Sequence, residues 1–234
     1  MNFVVMWKLS AGLQLSGASG RRCSNTSSKF RRTGYSRASP VKSRNKFGTI
    51  LDRSFFSRPT TVVARELLGQ WLVHGELRAQ ISETEAYLPE GDEAAHAYAG
   101  RTSRTAVIFG PPGFAYVYLN YGIHFMLNVV VEAEGIPGCV LIRAAGPWSG
   151  PGRLTKAMGV NLTHYGADLT TGQLVIERGH PVADAQVLNT PRIGIRKASE
   201  KLLRFLVSRQ HEKVTIEQSK NVTLTGLECT PKLR

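Results

Sequence analysis

Glu83 and Glu85 stand two residues apart in LRAQISETEAY (77–87), and the aromatic block AYVYLNYGIHF follows at 115–125. Read as a strand, 77–87 carries Leu77, Ala79 and Ile81, then Glu83, Glu85 and Tyr87, on one face. The two carboxylates then continue a row that an apolar core would fill. That placement is costly unless something compensates it, and perturbed carboxylates gather at chemical sites. One of the pair is suited to act as a general base on a water within hydrogen-bond reach, and two acids sharing a site would push one pKa up. A carboxylate beside flat rings on a basic chain suggests work on a nucleic-acid base. The plainer alternative is two strand-end acids, solvated or paired with arginine. Spacing alone chooses neither between these readings nor between the two acids.

The rings divide in the same way. Tyr116 and Tyr118 share one strand face, where aromatic residues are favoured for packing alone. Tyr121 sits in Asn120-Tyr121-Gly122, between strand runs expected at 114–119 and 123–131. A large ring beside glycine at a tight turn has little core to enter, and an exposed tip ring can fill the gap left by an extruded base. His96, after Asp92-Glu93-Ala-Ala, reads by itself as a packed or surface residue. Arg101, Arg104 and Arg153 lie in basic loops suited to phosphate contact or to plain solvation. Gly150-Pro151-Gly152 before Arg153 leaves free N–H groups at a helix start, a seat for phosphate.

The elements that must position these groups follow from local pattern. Thr60/Thr61 to Leu68 reads as a short helix with a threonine cap and a Gly69 stop. Trp71–Val73 is expected to pair with 77–87 through His74-Gly75, and Asp92–Ala97 to form one helical turn with Asp92 near its start. The runs 114–119, 123–131 and 139–144 suggest an antiparallel meander. Residues 150–160 read as a helix, and 174–177, 205–208 and 213–218 as further strands. The expected fold is mixed α+β, a single domain over 54–218 with a curved antiparallel sheet, an open barrel-like roll, and peripheral helices.

Charge separates that domain from what precedes it. Residues 1–53 hold eleven Lys/Arg and one acid, a net +10; residues 54–234 hold nineteen Lys/Arg and sixteen acids, a net +3. The first fifty residues are rich in Ser, Arg, Gly and Lys, and 1–47 contain no acid, so disorder is expected. Transit peptide, DNA-binding arm and mis-assigned gene start all fit that composition. Residues 219–234 carry weak signals. Three scattered cysteines (Cys23, Cys139, Cys229) and no histidine cluster argue against a structural zinc. A reducing compartment is the default, and no apolar run is long enough to span a bilayer.

At this point the chain resembles a known family, the alkyladenine (3-methyladenine) DNA glycosylases of the mammalian and bacterial methylpurine type. The resemblance rests on RSFFSRPTTVVARELLG (53–69), ISETEAYLPEGDEAAHAYAG (81–100), PPGFAYVYLNYGIHFMLNVV (111–130), GCVLIRAAGP (138–147), GPGRLTKAMGV (150–160) and PRIGIRKA (191–198). It implies monofunctional hydrolysis, without metal or cofactor, of the N-glycosidic bond of alkylated or deaminated purines in duplex DNA by base flipping, the first step of base excision repair. By that resemblance Glu85 activates the water, and Arg143 lies near the water and the target phosphate. Tyr87, His96 and Tyr118 wall the flipped base, Asn128 disfavours a guanine amino group, Tyr121 intercalates, and Glu83 supports. The implied partner is damaged double-stranded DNA in a DNA-containing compartment, with the protein a monomer and no membrane partner. The sequence departs from the family in a shortened 147–150 connection, in Ile123 where Met is common, and beyond residue 198. Two rivals remain on the residues alone: a degenerate fold that only binds DNA, and a carbohydrate hydrolase using Glu83 and Glu85.

Overall fold

The computed structural model describes residues 48–208. The expected disordered leader, the strand at 213–218 and the 219–234 tail lie outside the described residues.

Two short helices open the described chain, α1 (Arg53–Phe56) and α2 (Thr60–Glu66). They lead into β1 (Trp71–His74) and β2 (Leu77–Tyr87). Next come β3 (Ala115–Asn120), β4 (His124–Val131) and β5 (Gly138–Ala145). A two-residue β6 (Trp148–Ser149) and α3 (Pro151–Ala157) follow. The chain then forms β7 (Leu174–Glu177), β8 (Val187–Thr190) and β9 (Arg204–Val207). The strands make one curled antiparallel half-barrel sheet whose main path runs β3-β4-β5-β2-β1-β7. The mixed α+β roll with an antiparallel meander is therefore the observed architecture, and β3, β4 and β5 are neighbours as expected. Among the described residues no helix is long and apolar enough to cross a membrane.

β2 is the hub. Its first half pairs with β1, its second half pairs with β5 along one edge, and β9 meets residues 83–85 along the other. The pairing with β5 steps from Ile81↔Ala145 to Glu83↔Ala144 and then to Thr84↔Ile142. Ser82 is thus an extra residue on β2, and Arg143 an extra residue on β5, a pair of bulges. Each extra residue reverses which side chains face the core. Ile81 and Ala86, five apart, both lie in the main apolar core, as do Ile142 and Ala145, three apart. Strict alternation would put each pair on opposite faces. Glu83 and Glu85 therefore do not continue the row of Ala79 and Ile81, as plain alternation suggests. The bulge at Ser82 turns them to the opposite face, while Thr84 takes the core side and donates its hydroxyl to the Ala64 carbonyl of α2.

That core face is covered by α2 and α3, with Val63, Ala64, Leu67, Leu154 and Met158 packed against Val117, Leu127, Val129, Val140 and Ile142. The other face holds a smaller cluster around Ile108, Tyr116, Val130 and Cys139.

Three local expectations are corrected. The N-cap of α2 is Pro59, not a threonine. The Thr60 N–H and hydroxyl instead both donate to Glu132 Oε1, at 2.6 and 2.7 Å, so the helix start is capped from a residue seventy-two positions away. The residues after Asp92 form a 3-10 turn at His96–Ala99 rather than a helical turn at Asp92–Ala97. β6 and β8, which carry no alternation long enough to read, are strands: β6 folds back on Ala144 and Ala145, and β8 pairs with β9.

The remote cap sets an expected outcome. Glu132→Ala removes the acceptor of two buried-end donors and should lower unfolding free energy by about 1–2 kcal/mol in a denaturant titration. A change within experimental error would show that water satisfies the Thr60 N–H equally well.

Candidate active site

The face carrying the two glutamates borders a cavity of about 300 Å³. Glu85, Tyr87, His96, Tyr116, Tyr118, Tyr121, Asn128, Leu141, Arg143 and the segment Ile193–Ile195 all contribute to its lining. Its size lies at the lower end of small-molecule sites. Every residue that the resemblance assigned to base recognition or catalysis converges here. They arrive from β2, β3, β4, β5 and two loops, which explains why no local pattern announces the site.

Glu85 has a fully buried side chain. A carboxylate there needs donors, and three elements supply them. Its Oε1 accepts the Ile193 backbone N–H at 2.8 Å and lies 3.2 Å from Arg143 Nη1. Its Oε2 accepts the Tyr87 hydroxyl at 3.0 Å. Glu83 is different. Its Oε1 takes Nε–H bonds from Arg143 and Arg204, both at 2.7 Å. Burial would raise the Glu83 pKa, but those two guanidinium groups outweigh it and hold the carboxyl below its ordinary value. Glu83 is thus an ionised carboxylate held between two guanidinium groups, one of them that of Arg143. The plainer expectation, acids paired with arginine, describes Glu83, and the different partners distinguish the two carboxylates.

The aromatic walls interlock. The Tyr118 ring lies 4.6 Å from the His96 ring and 5.3 Å from that of Tyr116. His96 Nδ1 is 2.9 Å from the Tyr116 hydroxyl. Desolvation in the cavity wall, with Arg104 second, pushes the His96 imidazole down to about 4. Burial raises Tyr87 and Tyr118 well above the ordinary phenol range and Tyr116 to about 12. The rings are therefore uncharged at neutral pH. Tyr116 is 1% exposed and belongs to the smaller core cluster, and the partly buried Tyr118 packs against that cluster, so both strand tyrosines pack as well as line the cavity. Asn128, buried on β4, donates its side-chain N–H to the Tyr116 carbonyl at 3.1 Å. Cys139 lines the cavity from β5, and burial pushes its thiol up to about 12, which leaves it unreactive.

Tyr121 stands at the rim and is 87% exposed. It has φ 49° and Gly122 has φ 69°, positive values at consecutive turn residues as tight hairpins of primed type require. The Ile123 N–H closes the turn on the Asn120 carbonyl at 3.1 Å. A tyrosine in that backbone region costs about 1–2 kcal/mol relative to glycine. The base of the hairpin is braced: the His124 ring lies against Gly152, where an added Cβ would come within 2.6 Å of it, and Thr155 donates its hydroxyl to the Phe125 carbonyl.

Of the basic candidates, Arg104 is exposed and its guanidinium lies 5.0 Å from the Tyr118 ring centre, beside the cavity. Arg153 is exposed on α3, whose Pro151 reaches the lining, and Arg101 is exposed away from the lining. Sequence reasoning missed Ile193, whose contribution is a backbone N–H and so leaves no side-chain signature, and the Asp92–Arg192 pair behind Tyr87. Among the described residues no cluster of His, Cys, Asp or Glu could hold a metal.

Comparison with known proteins gives a consistent result. The family model described as "Methylpurine-DNA glycosylase (MPG)" matches residues 54–150 and 148–211. A protein of Chlorobium phaeobacteroides (strain BS1) named "Putative 3-methyladenine DNA glycosylase" is 41% identical over 182 residues, spanning 68% of this chain and 92% of its own. A protein of the same name from Wolbachia pipientis wMel is 45% identical over 165 residues, 67% of this chain and 91% of its own. Another, from Rhodopseudomonas palustris (strain BisB5), is 42% identical over 193 residues, 74% and 94% respectively.

The neutral imidazole makes a signed prediction. His96 stays unprotonated in the fold down to about pH 4, whereas a histidine in the unfolded chain protonates near 6.5. The unfolded state then binds more protons between those values, so stability falls as pH drops through that window. His96→Gln should flatten this part of the curve when melting temperature is followed from pH 4.5 to 7. An identical slope in the variant would mean that the folded ring does take up a proton.

Proposed function

The chain belongs to the methylpurine-DNA glycosylase family, and we propose that it hydrolyses the N-glycosidic bond of alkylated or deaminated purines, 3-methyladenine among them, in duplex DNA. The observation that carries this reading is a fully buried carboxylate, Glu85, at the wall of a ring-lined cavity whose rim bears an exposed tyrosine in a strained turn.

Tyr121 enters the duplex and fills the space of the extruded nucleotide. The damaged purine stacks among Tyr87, His96 and Tyr118. Electron-rich rings favour a purine made cationic by alkylation, and the uncharged His96 adds no repelling charge. Asn128, its amide tied to the Tyr116 carbonyl, stands against a guanine amino group. Glu85 accepts a proton from water, the water oxygen forms its bond to C1′, and the C1′–N bond breaks with its electron pair leaving on the base. The same carboxylate stabilises the sugar as it becomes cationic, much as in glycoside hydrolysis. Arg143, held by Glu83, orients the Glu85 carboxylate and faces the target phosphate. The described lining contains no lysine, which supports hydrolysis to an abasic site without strand cleavage. Arg104 and Arg153 contact flanking phosphates, and Arg101 does so more distantly. The protein acts as a monomer, without metal or cofactor, in a compartment that holds DNA.

Glu85→Gln should abolish base release from duplexes containing hypoxanthine or 3-methyladenine while retaining their binding. Ordinary turnover by that variant would remove Glu85 from the reaction. Tyr121→Ser should reduce excision by roughly 5- to 150-fold, the loss of a stacking contact of about 1–3 kcal/mol, as read in single-turnover release assays; an unchanged rate would remove the wedge. A wild-type protein that binds lesion duplex yet yields no abasic product would favour the binding-only alternative.

A further inference from the structure

The Arg192 guanidinium is fully buried and forked onto Asp92, with Nη1 to Oδ2 at 2.6 Å and Nη2 to Oδ1 at 2.7 Å. Neither residue is in contact with the cavity. What the pair holds is informative. Arg192 Nη1 also donates to the carbonyl of Ala86, the residue between Glu85 and Tyr87 on β2, at 2.9 Å. Its guanidinium carbon lies 4.7 Å from the Tyr87 ring centre, against that ring. The next residue, Ile193, is the one whose N–H reaches Glu85 Oε1. Asp92 in turn accepts the N–H groups of Leu88 and Ala94, at 3.0 and 3.3 Å, and so fixes the turn that follows Tyr87. A single buried ion pair thus fastens the backbone that follows Glu85, backs the tyrosine that donates to Glu85, and adjoins the residue whose N–H also donates to it.

We propose that Asp92 and Arg192 are positioning residues that set the Glu85 carboxylate and the Tyr87 ring for base release; the inference rests on Glu85 being the water-activating base. Stability alone is a poor reason for such a pair, because a buried ion pair seldom stabilises more than apolar packing of the same volume. Among the described residues Arg192 Nε is moreover buried with no partner, a cost that a purely structural role would not require. The guanidinium fork itself is what the geometry uses: with one N–H of each Nη given to Asp92, the second N–H of Nη1 reaches the Ala86 carbonyl and the flat face lies on Tyr87.

The test uses the full chain and hypoxanthine-containing duplex. Single-turnover base release and duplex Kd are measured for wild type, Asp92→Asn and Arg192→Lys, at temperatures where each is folded by circular dichroism. Glu177→Gln serves as the comparison, since Glu177 is a buried carboxylate paired with Arg78, sits on β7 two strands away from β2, and does not line the cavity. The expected result is release slowed on the order of 100-fold in both variants, the scale of a 1 Å misplacement of reacting groups. Duplex Kd should stay within about threefold, and Glu177→Gln should release base at the wild-type rate despite its own loss of stability. Arg192→Lys keeps the charge and removes the fork, so it carries the test if Asp92→Asn does not fold. Release within threefold of wild type in a folded variant overturns the proposal, as does an equal slowing in Glu177→Gln. A wild type that releases no base overturns the Glu85 reading and this one together, whereas active wild type with unaffected variants overturns only the positioning role.

Discussion

A carboxylate with no exposed surface has to be supplied with hydrogen-bond donors, and the architecture around Glu85 follows from that requirement. Desolvating an unpaired carboxylate costs several kcal/mol. Here the donors come from three separate pieces of chain: Arg143 on β5, the Ile193 N–H on a loop more than one hundred residues later, and Tyr87 on the same strand. Each donor also belongs to the cavity wall. The groups that make the charge tolerable are thus the groups that shape the space in front of it, so burial and site geometry are satisfied by one set of contacts.

The sheet delivers that set through its paired bulges. Without the extra residue at Ser82, Glu85 would face α2 and the apolar core, and Thr84 would face the cavity. The compensating extra residue on β5 is Arg143 itself. The residue that restores register is therefore the one whose guanidinium spans Glu83 and Glu85. Bulges commonly re-aim side chains at functional sites; here both partners of the correction serve the same pair of carboxylates. β2 can absorb this because it is paired along both edges at residues 83–85, by β5 and by β9.

Much of the fold was legible because it rests on local pattern. The alternating runs of β3, β4 and β5 and the Gly-Pro-Gly start of α3 are written in consecutive residues. What escaped is what depends on distance. Alternation placed the two glutamates on one face correctly but on the wrong side of the sheet, since a bulge leaves no mark in a string such as ISETE. Glu132 caps α2 and Arg192 clamps Asp92 across separations of 72 and 100 residues. Spacing could not separate Glu83 from Glu85 either; their partners do, with two arginine Nε–H bonds on one and a backbone N–H with a phenol on the other. The resemblance named the converging residues, and the geometry brings those of the base pocket to one cavity.

The strained tip argues for a division of labour between charge and shape. From residue 54 onward the chain carries only +3, a modest charge with which to hold a polyanion. Recognition in the proposed reading therefore depends on inserting a ring and filling a pocket. An inserted ring is effective only if its support does not yield. The turn holds Tyr121 in a backbone region that few large residues adopt, while the His124–Gly152 contact and the Thr155 hydroxyl bond tie the hairpin base to α3. Pro151 on the same helix reaches the cavity. One helix therefore braces the Tyr121 hairpin and forms part of the cavity wall, so tip and cavity share a packed support.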